Sequence, residues 1–261
     1  MTARLARTTS SLAAVVLTVA CSSYYEIPIE TPIRPKLDVS VFQRVLVAGF
    51  ISGGTEDVDG NLETTRLLRS QLRTKSEMRV IDADVLPLVD VASEGRPPEL
   101  RAVQNTEPSA GPPSAPGVIK EDKDLELYEH VFADVEYWKR IGEEYQQPLI
   151  VTGTVMFAPQ ARSGIVQRDQ EVYDSFGRRR VIPTRTYMER KGFVLKPRFI
   201  FIDGRTGTVL HSENFREEIL YNANQTTPAL SSYFELMDRL IPSFLSTLSS
   251  QKIKGTRVLL Q

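Results

Sequence analysis

Few residues of this sequence have the type and spacing that catalysis requires. The chain contains two histidines, His130 and His211, far apart in sequence, and one cysteine, Cys21. An internal disulfide is therefore impossible, and the sequence predicts no histidine- or cysteine-based metal centre. The Gly-x-Ser-x-Gly signature of serine nucleophiles is absent. Ser212 and Glu213 follow His211 on a predicted strand, where adjacent side chains point to opposite faces, so we expect no catalytic triad there.

Two glycine-containing segments lack the spacing of known ligand-binding loops. In Asp57-Val58-Asp59-Gly60-Asn61 the glycine is fourth, whereas an EF-hand loop needs it sixth and a glutamate twelfth. The segment Ser52-Gly53-Gly54 lacks the Gly-Lys-Ser/Thr of a P-loop. The sequence predicts a turn leading into a helix here, and we expect no metal, no cofactor and no small-molecule substrate.

The first twenty residues have the layout of an export signal. Arg4 and Arg7 form a positive region, residues 12–19 form a short apolar run, and Ala20 stands just before Cys21. This order of basic, apolar and small residues is typical of a secretory signal peptide. The run is too short to cross a hydrocarbon core of roughly 30 Å as a helix. A transmembrane anchor is therefore the weaker interpretation.

The segment Leu17-Thr18-Val19-Ala20-Cys21 resembles the lipobox of bacterial lipoprotein signals, with Thr18 at the position where leucine is commonest. The resemblance implies a signal peptide over residues 1–20, cleavage between Ala20 and Cys21, and a covalent lipid with fatty acyl chains such as palmitate on Cys21. The alternative is an ordinary signal whose cleavage site adjoins a cysteine. We favour lipidation because the single cysteine of the chain lies where a lipobox needs it.

The predicted lipid also indicates a location. Each buried CH₂ contributes about 0.8 kcal/mol, so two or three acyl chains anchor a protein durably. In many Gram-negative lipoproteins an aspartate directly after the cysteine marks retention in the inner membrane. Ser22 and Ser23 follow Cys21 here. The resemblance therefore implies the outer membrane, with the domain facing the periplasm.

Overall composition favours an ordinary folded protein with no polyanionic partner. The 261 residues include 32 Lys and Arg against 33 Asp and Glu, and 41% are hydrophobic. This length sustains a core without covalent staples. Because charge is balanced and export is predicted, nucleic acid is not an expected partner.

Proline content divides the chain after the signal peptide. We predict an extended tether over residues 21–40, a single α/β domain over 41–250 and a C-terminal tail over 251–261. Residues 93–124 combine many prolines with Gly, Ser, Ala and Glu. Such a composition predicts a disordered insertion, because it cannot bury enough apolar surface to offset chain entropy. A linker between two domains is the alternative.

The pattern of apolar residues predicts an α/β (α+β) fold. The continuous apolar run at 44–50 indicates a strand buried on both faces, as in a parallel sheet. A helix over 62–75 with Asn61 as its N-cap, followed by a strand over 78–82, completes a βαβ unit. We therefore expect a mixed sheet flanked by helices, with a βαβ start and a C-terminal β-hairpin plus helix. The remaining predicted elements are a helix over 125–146, a strand over 149–155, alternating strand residues over 193–201, a turn over 203–207, a return strand over 209–220, a final helix from Pro228 and an edge strand over 257–260.

This order of elements resembles the curli-export and penicillin-binding-protein-activator lipoproteins. Those proteins share an α/β domain similar to the N-terminal domain of the translocation protein TolB. The resemblance covers residues 44–90 and 125–250, and it implies a non-catalytic envelope lipoprotein that binds a protein or forms an assembly. The proline-rich insertion is not part of the pattern. The segments that carry the resemblance are RVLVAGF (44–50), VIDAD (80–84), PLIVTGTV (148–155) and FIFIDGRTGTVLHSE (199–213).

The one local excess of positive charge consists of Arg178, Arg179 and Arg180 with Arg185, Arg190, Lys191, Lys196 and Arg198, and it overlaps a segment of many cations, residues 156–192. The curli-export proteins form a membrane pore from hairpins with lipid-facing residues, whereas this segment suits a solvated loop, so we expect no pore. A partner-binding patch is also predicted here, for acidic headgroups, anionic polysaccharide or an acidic protein face. A merely solvated hairpin tip is the alternative. The cations of residues 156–192 are Arg162, Arg168, Arg178, Arg179, Arg180, Arg185, Arg190 and Lys191; the predicted patch is Arg178, Arg179, Arg180, Arg185, Tyr173 and Phe176.

Three functions follow from the sequence, in order of preference. The first is a non-catalytic binding or assembly module in the cell envelope, attached to the membrane through its N-terminal lipid. The second is a subunit of an oligomeric secretion or curli-export-like ring. The third is an envelope hydrolase, which the missing catalytic motifs disfavour, so we do not expect an enzyme.

Overall fold

The computed structural model describes residues 24–94, 119–222, 225 and 227–260. The predicted signal peptide, Cys21 and residues 95–118 of the predicted insertion lie outside this part of the chain. The described residues form two compact units. One combines residues 24–35 with residues 249–260, and the other consists of the described residues between Lys36 and Leu248.

A mixed sheet of six strands forms the centre of the larger unit in the described residues. The strand order is β3-β2-β4-β5-β6, and β7 also pairs with β5. Strand β2 is parallel to both of its neighbours, whereas β4 and β5 are antiparallel. The predicted mixed sheet of an α/β (α+β) fold is confirmed. The strands are β2 (Arg44–Gly54), β3 (Arg79–Val80), β4 (Leu149–Tyr173), β5 (Arg179–Asp203), β6 (Val209–Asn214) and β7 (Glu217–Asn222).

Helices cover both faces of this sheet. On one face α1 and α6 pack over a core that includes Leu68, Phe199 and Phe244. On the other face the short helices α2 to α5 pack over the strand residues Leu46 and Ile150. The sheet is therefore buried on both sides, as its apolar strands predict. The helices are α1 (Gly60–Lys75), α2 (Leu88–Glu94), α3 (Asp122–Glu126), α4 (His130–Ala133), α5 (Val135–Glu144) and α6 (Ala229–Leu248).

The predicted βαβ unit is formed by β2, α1 and β3, and its helix cap differs from the expectation. The carboxylate of Asp59 accepts a hydrogen bond from the Leu62 N–H at 3.0 Å, so Asp59 is the N-cap. The predicted cap, Asn61, instead accepts a hydrogen bond from the Phe50 N–H at 2.7 Å through its side-chain oxygen. Asn61 thus joins the helix start to the neighbouring strand.

The single helix predicted over residues 125–146 is wrong, because three short helices occupy this stretch. Asp134 has non-helical dihedral angles (φ −77°, ψ 91°), and its carboxylate accepts a hydrogen bond from the Tyr137 N–H at 3.0 Å. A side chain that caps a new helix offers the backbone an alternative to continuing the old one. The Trp138 indole N–H donates to the Val131 carbonyl at 2.8 Å and so joins α5 to α4 across the break.

The return strand predicted over 209–220 is divided into two. Strand β6 pairs with residues 198–202 of β5, and β7 pairs with residues 190–195. The Phe215 N–H donates to the Pro197 carbonyl at 2.9 Å between them. The preceding turn is confirmed, with Gly207 at a φ of +74°.

The described ends of the predicted insertion belong to the folded unit. Ile119 is buried in the core beneath α2 and α3. Its side chain lies where a Cβ on Gly53 would stand. Residues 122–124, at the same end of the prediction, form the start of α3, and residues 93–94, at its other end, form the end of α2.

The smaller unit is a two-stranded antiparallel ribbon. Strand β1 (Tyr24–Ile33) pairs with β8 (Gln251–Leu260), from Tyr24↔Leu260 to Ile33↔Gln251. Part of the segment predicted as a tether is thus a strand. The edge strand predicted at 257–260 is longer than expected, and it pairs with β1 instead of the main sheet.

Candidate functional site: the β4–β5 arm

Strands β4 and β5 continue far beyond the sheet as a two-stranded hairpin. The neighbouring strand β2 pairs with β4 as far as Phe157, and β7 pairs with β5 as far as Arg190. The pairing of β4 with β5 continues for eleven more residue pairs, from Ser163↔Glu189 to Tyr173↔Arg179. At about 3.3 Å per residue this arm, residues 163–189, is about 35 Å long. The solvated loop predicted over 156–192 is therefore wrong, because its backbone is paired throughout β4 and β5.

A carboxylate organises the turn at the end of the arm. The backbone N–H groups of Phe176 and Arg178 donate to Asp174 at 3.0 and 2.9 Å, and the Arg178 Nε donates to it at 3.0 Å. The Arg178 N–H, with these other donors, holds the pKa of Asp174 below its usual value. Gly177 has a φ of +74°, which this turn requires. The turn is therefore internally satisfied, and its aromatic residue is free to project outward.

Phe176 is the most exposed large apolar side chain of the arm. Its side chain is 82% exposed, and the Arg178 guanidinium lies over its ring at 5.4 Å from the centroid. Tyr173, at the end of β4, is also exposed. An aromatic ring paired with an arginine is a combination enriched at the energetic centres of protein interfaces.

The arm divides the predicted patch between its two faces. Directly opposed strand residues share a face, so Tyr173 and Arg179 lie together and Arg185 lies on the same side. Arg180 is opposite Val172 and lies on the other side. The Arg179 guanidinium pairs with Glu171 at 2.9 Å. The six predicted residues are therefore all on the arm or its turn, but they do not form one continuous surface.

The sequence prediction missed the apolar residues along the arm. Ile165 and Tyr187 are opposed across the two strands and are 73% and 67% exposed. Val181 and Ile182, nearer the turn, are exposed on opposite faces. The signal that could have found the arm is the pair Asp174 and Gly177, a turn signature between two stretches rich in β-branched and aromatic residues.

Both edges of the arm are open. Beyond residues 162 and 190 neither strand has a further strand partner among the described residues. Pro183 interrupts the row of N–H donors along β5, whereas the arm part of β4 contains no proline. Unpaired strand edges accept added strands. The arm therefore offers two kinds of contact, apolar side chains and free backbone groups.

The glycine-rich segment at the end of β2 is a packing feature. A Cβ on Gly54, which has a φ of +104°, would overlap the Phe157 carbonyl. The adjacent cleft of about 360 Å³ is lined by the acidic side chains of Glu56 and Asp59. Negative charge at this position disfavours a phosphate ligand.

On β6, His211 lies beside the Glu213 carboxylate, and the Ser212 hydroxyl has a different partner. His211 Nε2 lies 3.5 Å from a Glu213 carboxylate oxygen, while the Ser212 hydroxyl accepts a hydrogen bond from Arg198 Nε at 3.1 Å. Burial acts to raise the pKa of Glu213, but hydrogen bonds from Lys36 and neighbouring side chains outweigh it and lower the pKa. Within the described residues, no three or more His, Cys, Asp and Glu side chains are grouped to hold a metal ion.

His130, the other histidine, lies between two helices. Its Nδ1 is 3.0 Å from the Leu127 carbonyl and its Nε2 is 2.9 Å from the Ala92 carbonyl. These contacts join α4 to the end of α2, which is a structural role. Across the described part of the chain, no helix is both long enough and apolar enough to cross a bilayer.

Solved structures similar to this chain include two bacterial proteins of low sequence identity. No family model matches the chain, and no curated protein matches it. The chain is similar to the lipoprotein GNA1162 from Neisseria meningitidis, with 12% identity and a TM-score of 0.33 over 77% of this chain and 97% of that one. It is also similar to a neuraminyllactose-binding hemagglutinin homologue from Helicobacter pylori, with 9% identity and a TM-score of 0.30 over 82% and 83%. These scores are too low to carry an argument, so the resemblance to curli-export and penicillin-binding-protein-activator lipoproteins stays a prediction.

Proposed function

We propose that this chain is a non-catalytic binding module of the bacterial cell envelope, attached by a lipid on Cys21 to the outer membrane and facing the periplasm. The observation that supports binding is the arm, which carries exposed Phe176 and the exposed Ile165–Tyr187 pair. Exposed aromatic and aliphatic side chains along one projecting element support an interaction site there. The proposed partner is an envelope protein that contacts the apolar and arginine side chains near the turn.

A photo-crosslinking residue at position 176 tests this assignment in living cells. We expect Phe176 replaced in this way to capture one defined envelope protein. The matched control is the same replacement at Arg66, an exposed residue of α1 in the same unit. Equal capture at both positions, or capture at Arg66 alone, would contradict binding through the arm.

The lipid is tested independently of the partner. Cys21→Ser should abolish incorporation of a fatty-acid analogue and release the protein from membranes, whereas Ser22→Ala should leave both unchanged. Labelling that persists in Cys21→Ser would exclude this cysteine as the attachment site. Ser22→Asp should move the protein to the inner membrane, and no movement would count against sorting by the residue after the cysteine.

The open edges of the arm favour a second function, a subunit of a ring in which arms of neighbouring copies pair. Size-exclusion chromatography of the unlipidated chain separates the two. A ring elutes far above the 29.3 kDa of one chain, whereas a module that binds a different protein elutes as a single chain.

A further inference from the structure

The ribbon formed by β1 and β8 has a mainly apolar face, which also carries Thr31 and Arg257, and an opposite face with paired charges. Side chains alternate between faces along a strand, so Ile27, Ile29 and Ile33 share one face. The opposite face carries Glu30, which pairs with Lys252 at 3.3 Å and with Lys254 at 3.7 Å. The ribbon is therefore amphipathic.

The isoleucines of this face are partly exposed. Ile27, Ile29 and Ile33 are 39%, 39% and 45% exposed. A two-stranded ribbon alone is marginally stable in water and gains stability when another layer covers its apolar face. The position of the ribbon in the chain indicates what that layer is.

The ribbon starts next to the predicted lipid. Tyr24, the first residue of β1, is three residues after Cys21, a distance of at most about 11 Å in an extended chain. The register pairs Tyr24 with Leu260, so the C-terminal end of β8 lies at the same end of the ribbon. A lipid embedded at Cys21 would hold this end against the bilayer.

We propose that the β1–β8 ribbon lies on the surface of the membrane with its isoleucine face in contact with lipid; this rests on the lipidation of Cys21 proposed above. Burial of apolar side chains at the interface stabilises such a contact. The tyrosines at positions 24 and 25 are of the type enriched at membrane interfaces.

One cation of the ribbon lies on the isoleucine face. Arg257 is opposite Ile27, whereas Lys252 and Lys254 lie on the other face beside Glu30. Basic residues at a membrane surface are attracted to anionic headgroups. A second copy of the chain is a poorer occupant, because three half-covered isoleucines offer far less than the roughly 800 Å² per partner of a stable protein interface.

The N-terminal segment, residues 21–40, is predicted from its sequence as an extended tether. With the ribbon on the surface, Tyr24–Ile33 instead adds a second membrane contact to the lipid. The C-terminal strand shares this contact through its pairing with β1.

Site-specific fluorescence in vesicles tests the proposal on the full lipidated chain. The lipid occupies the natural cysteine, so a single added cysteine can be labelled alone. The test position is Ile29→Cys on the apolar face. The matched control is Thr256→Cys, an exposed position opposite Pro28 and therefore on the other face at nearly the same distance from the anchor. The vesicles contain phosphatidylethanolamine and phosphatidylglycerol, with or without a brominated lipid.

The expected result is face-specific. The label at position 29 should shift its emission to the blue and lose most of its intensity with brominated lipid, while the label at 256 should respond to aqueous iodide instead. Equal iodide quenching at both positions would overturn the proposal. Protection at position 29 that grows with protein density and is insensitive to brominated lipid would overturn it in favour of a second copy.

Flotation of the same samples separates this proposal from the lipidation on which it rests. Chains that fail to float with the vesicles show that the anchor is absent. Chains that float without a difference between positions 29 and 256 show that the anchor is present and the ribbon is off the surface.

Discussion

Asp203 is the buried carboxylate around which the turn between β5 and β6 is built. It accepts hydrogen bonds from the backbone N–H, the Nε and the Nη2 of Arg205 at 2.8, 3.0 and 2.9 Å. Burial acts to raise the pKa of Asp203, but the hydrogen bonds and charge of Arg205 outweigh it, so the pKa lies below the ordinary value of 3.8. The ionised form therefore contributes to stability.

Asp203→Asn should lower the free energy of unfolding by about 1–3 kcal/mol, because it removes the charge that these donors satisfy. A carboxylate with a lowered folded-state pKa stabilises the fold above about pH 4 and ceases to do so as pH falls through that lower value. Urea unfolding of a chain that begins at Ser22, measured at neutral and acid pH, checks both effects. Asp238→Asn, at an exposed position of α6, is the control. A loss in Asp203→Asn that stays constant down to the lowest pH would contradict this role.

A substitution of Gly54 tests whether the glycines at the end of β2 are needed for packing. Gly54→Ala should cost about 2–4 kcal/mol, because the new Cβ meets the Phe157 carbonyl and φ is +104°. Gly164→Ala is the matched control, since nothing lies within 4 Å of its Cβ position. Thermal unfolding of the two variants compares them. Equal melting temperatures would show that the segment can move to accept a side chain.

At the scale of elements, the sequence predicts the helices and strands that have a buried face, because burial imposes a regular pattern of apolar residues. Strand β2 and helix α6 lie where periodicity places them, because their apolar residues pack against the two cores. The arm was missed because neither of its faces is buried, so alternation of apolar and polar residues is not enforced there. The break at Asp134 was missed because one local hydrogen bond, invisible to a periodicity argument, decides it.

Removal of the arm should leave the rest of the fold intact. Arg162 and Arg190 are opposed in the register, so a two-residue Asn-Gly turn can replace residues 163–189. The arm contributes no residue to either core, so the free energy of unfolding should change by no more than about 0.5 kcal/mol. Urea unfolding of the shortened and complete chains, both without lipid, measures the difference.

The control for this variant keeps the arm and changes its end. Phe176→Ser should also leave stability unchanged, because the ring is exposed. A large loss of stability in the shortened chain, with none in Phe176→Ser, would show that the strand pairing of the arm supports the sheet.

At the scale of the whole molecule, the anchor is predicted from the sequence alone, whereas the faces of the arm are known only from the structure. The predicted anchor at Cys21 came from the order of basic, apolar and small residues, a pattern that targeting machinery reads without a fold. The predicted patch came from local charge, which locates the arm but cannot divide its side chains between two faces. That division depends on the β4–β5 register, which places Arg180 opposite Val172.

We expect the larger unit, residues 36–248, to fold without the ribbon strands. Residues 36–248 contain both hydrophobic cores, and the unit is closed at its ends by the hydrogen bond from the Leu37 N–H to the Thr247 carbonyl at 3.0 Å. A fragment of these residues should therefore unfold in one cooperative transition with the stability of the complete unlipidated chain. The matched fragment 44–248 lacks this bond and the buried Phe42 ring, and it should be less stable by about 3 kcal/mol or more. Urea unfolding followed by the fluorescence of Trp138 measures both, and a 36–248 fragment as unstable as 44–248 would show that the ribbon strands support the larger unit.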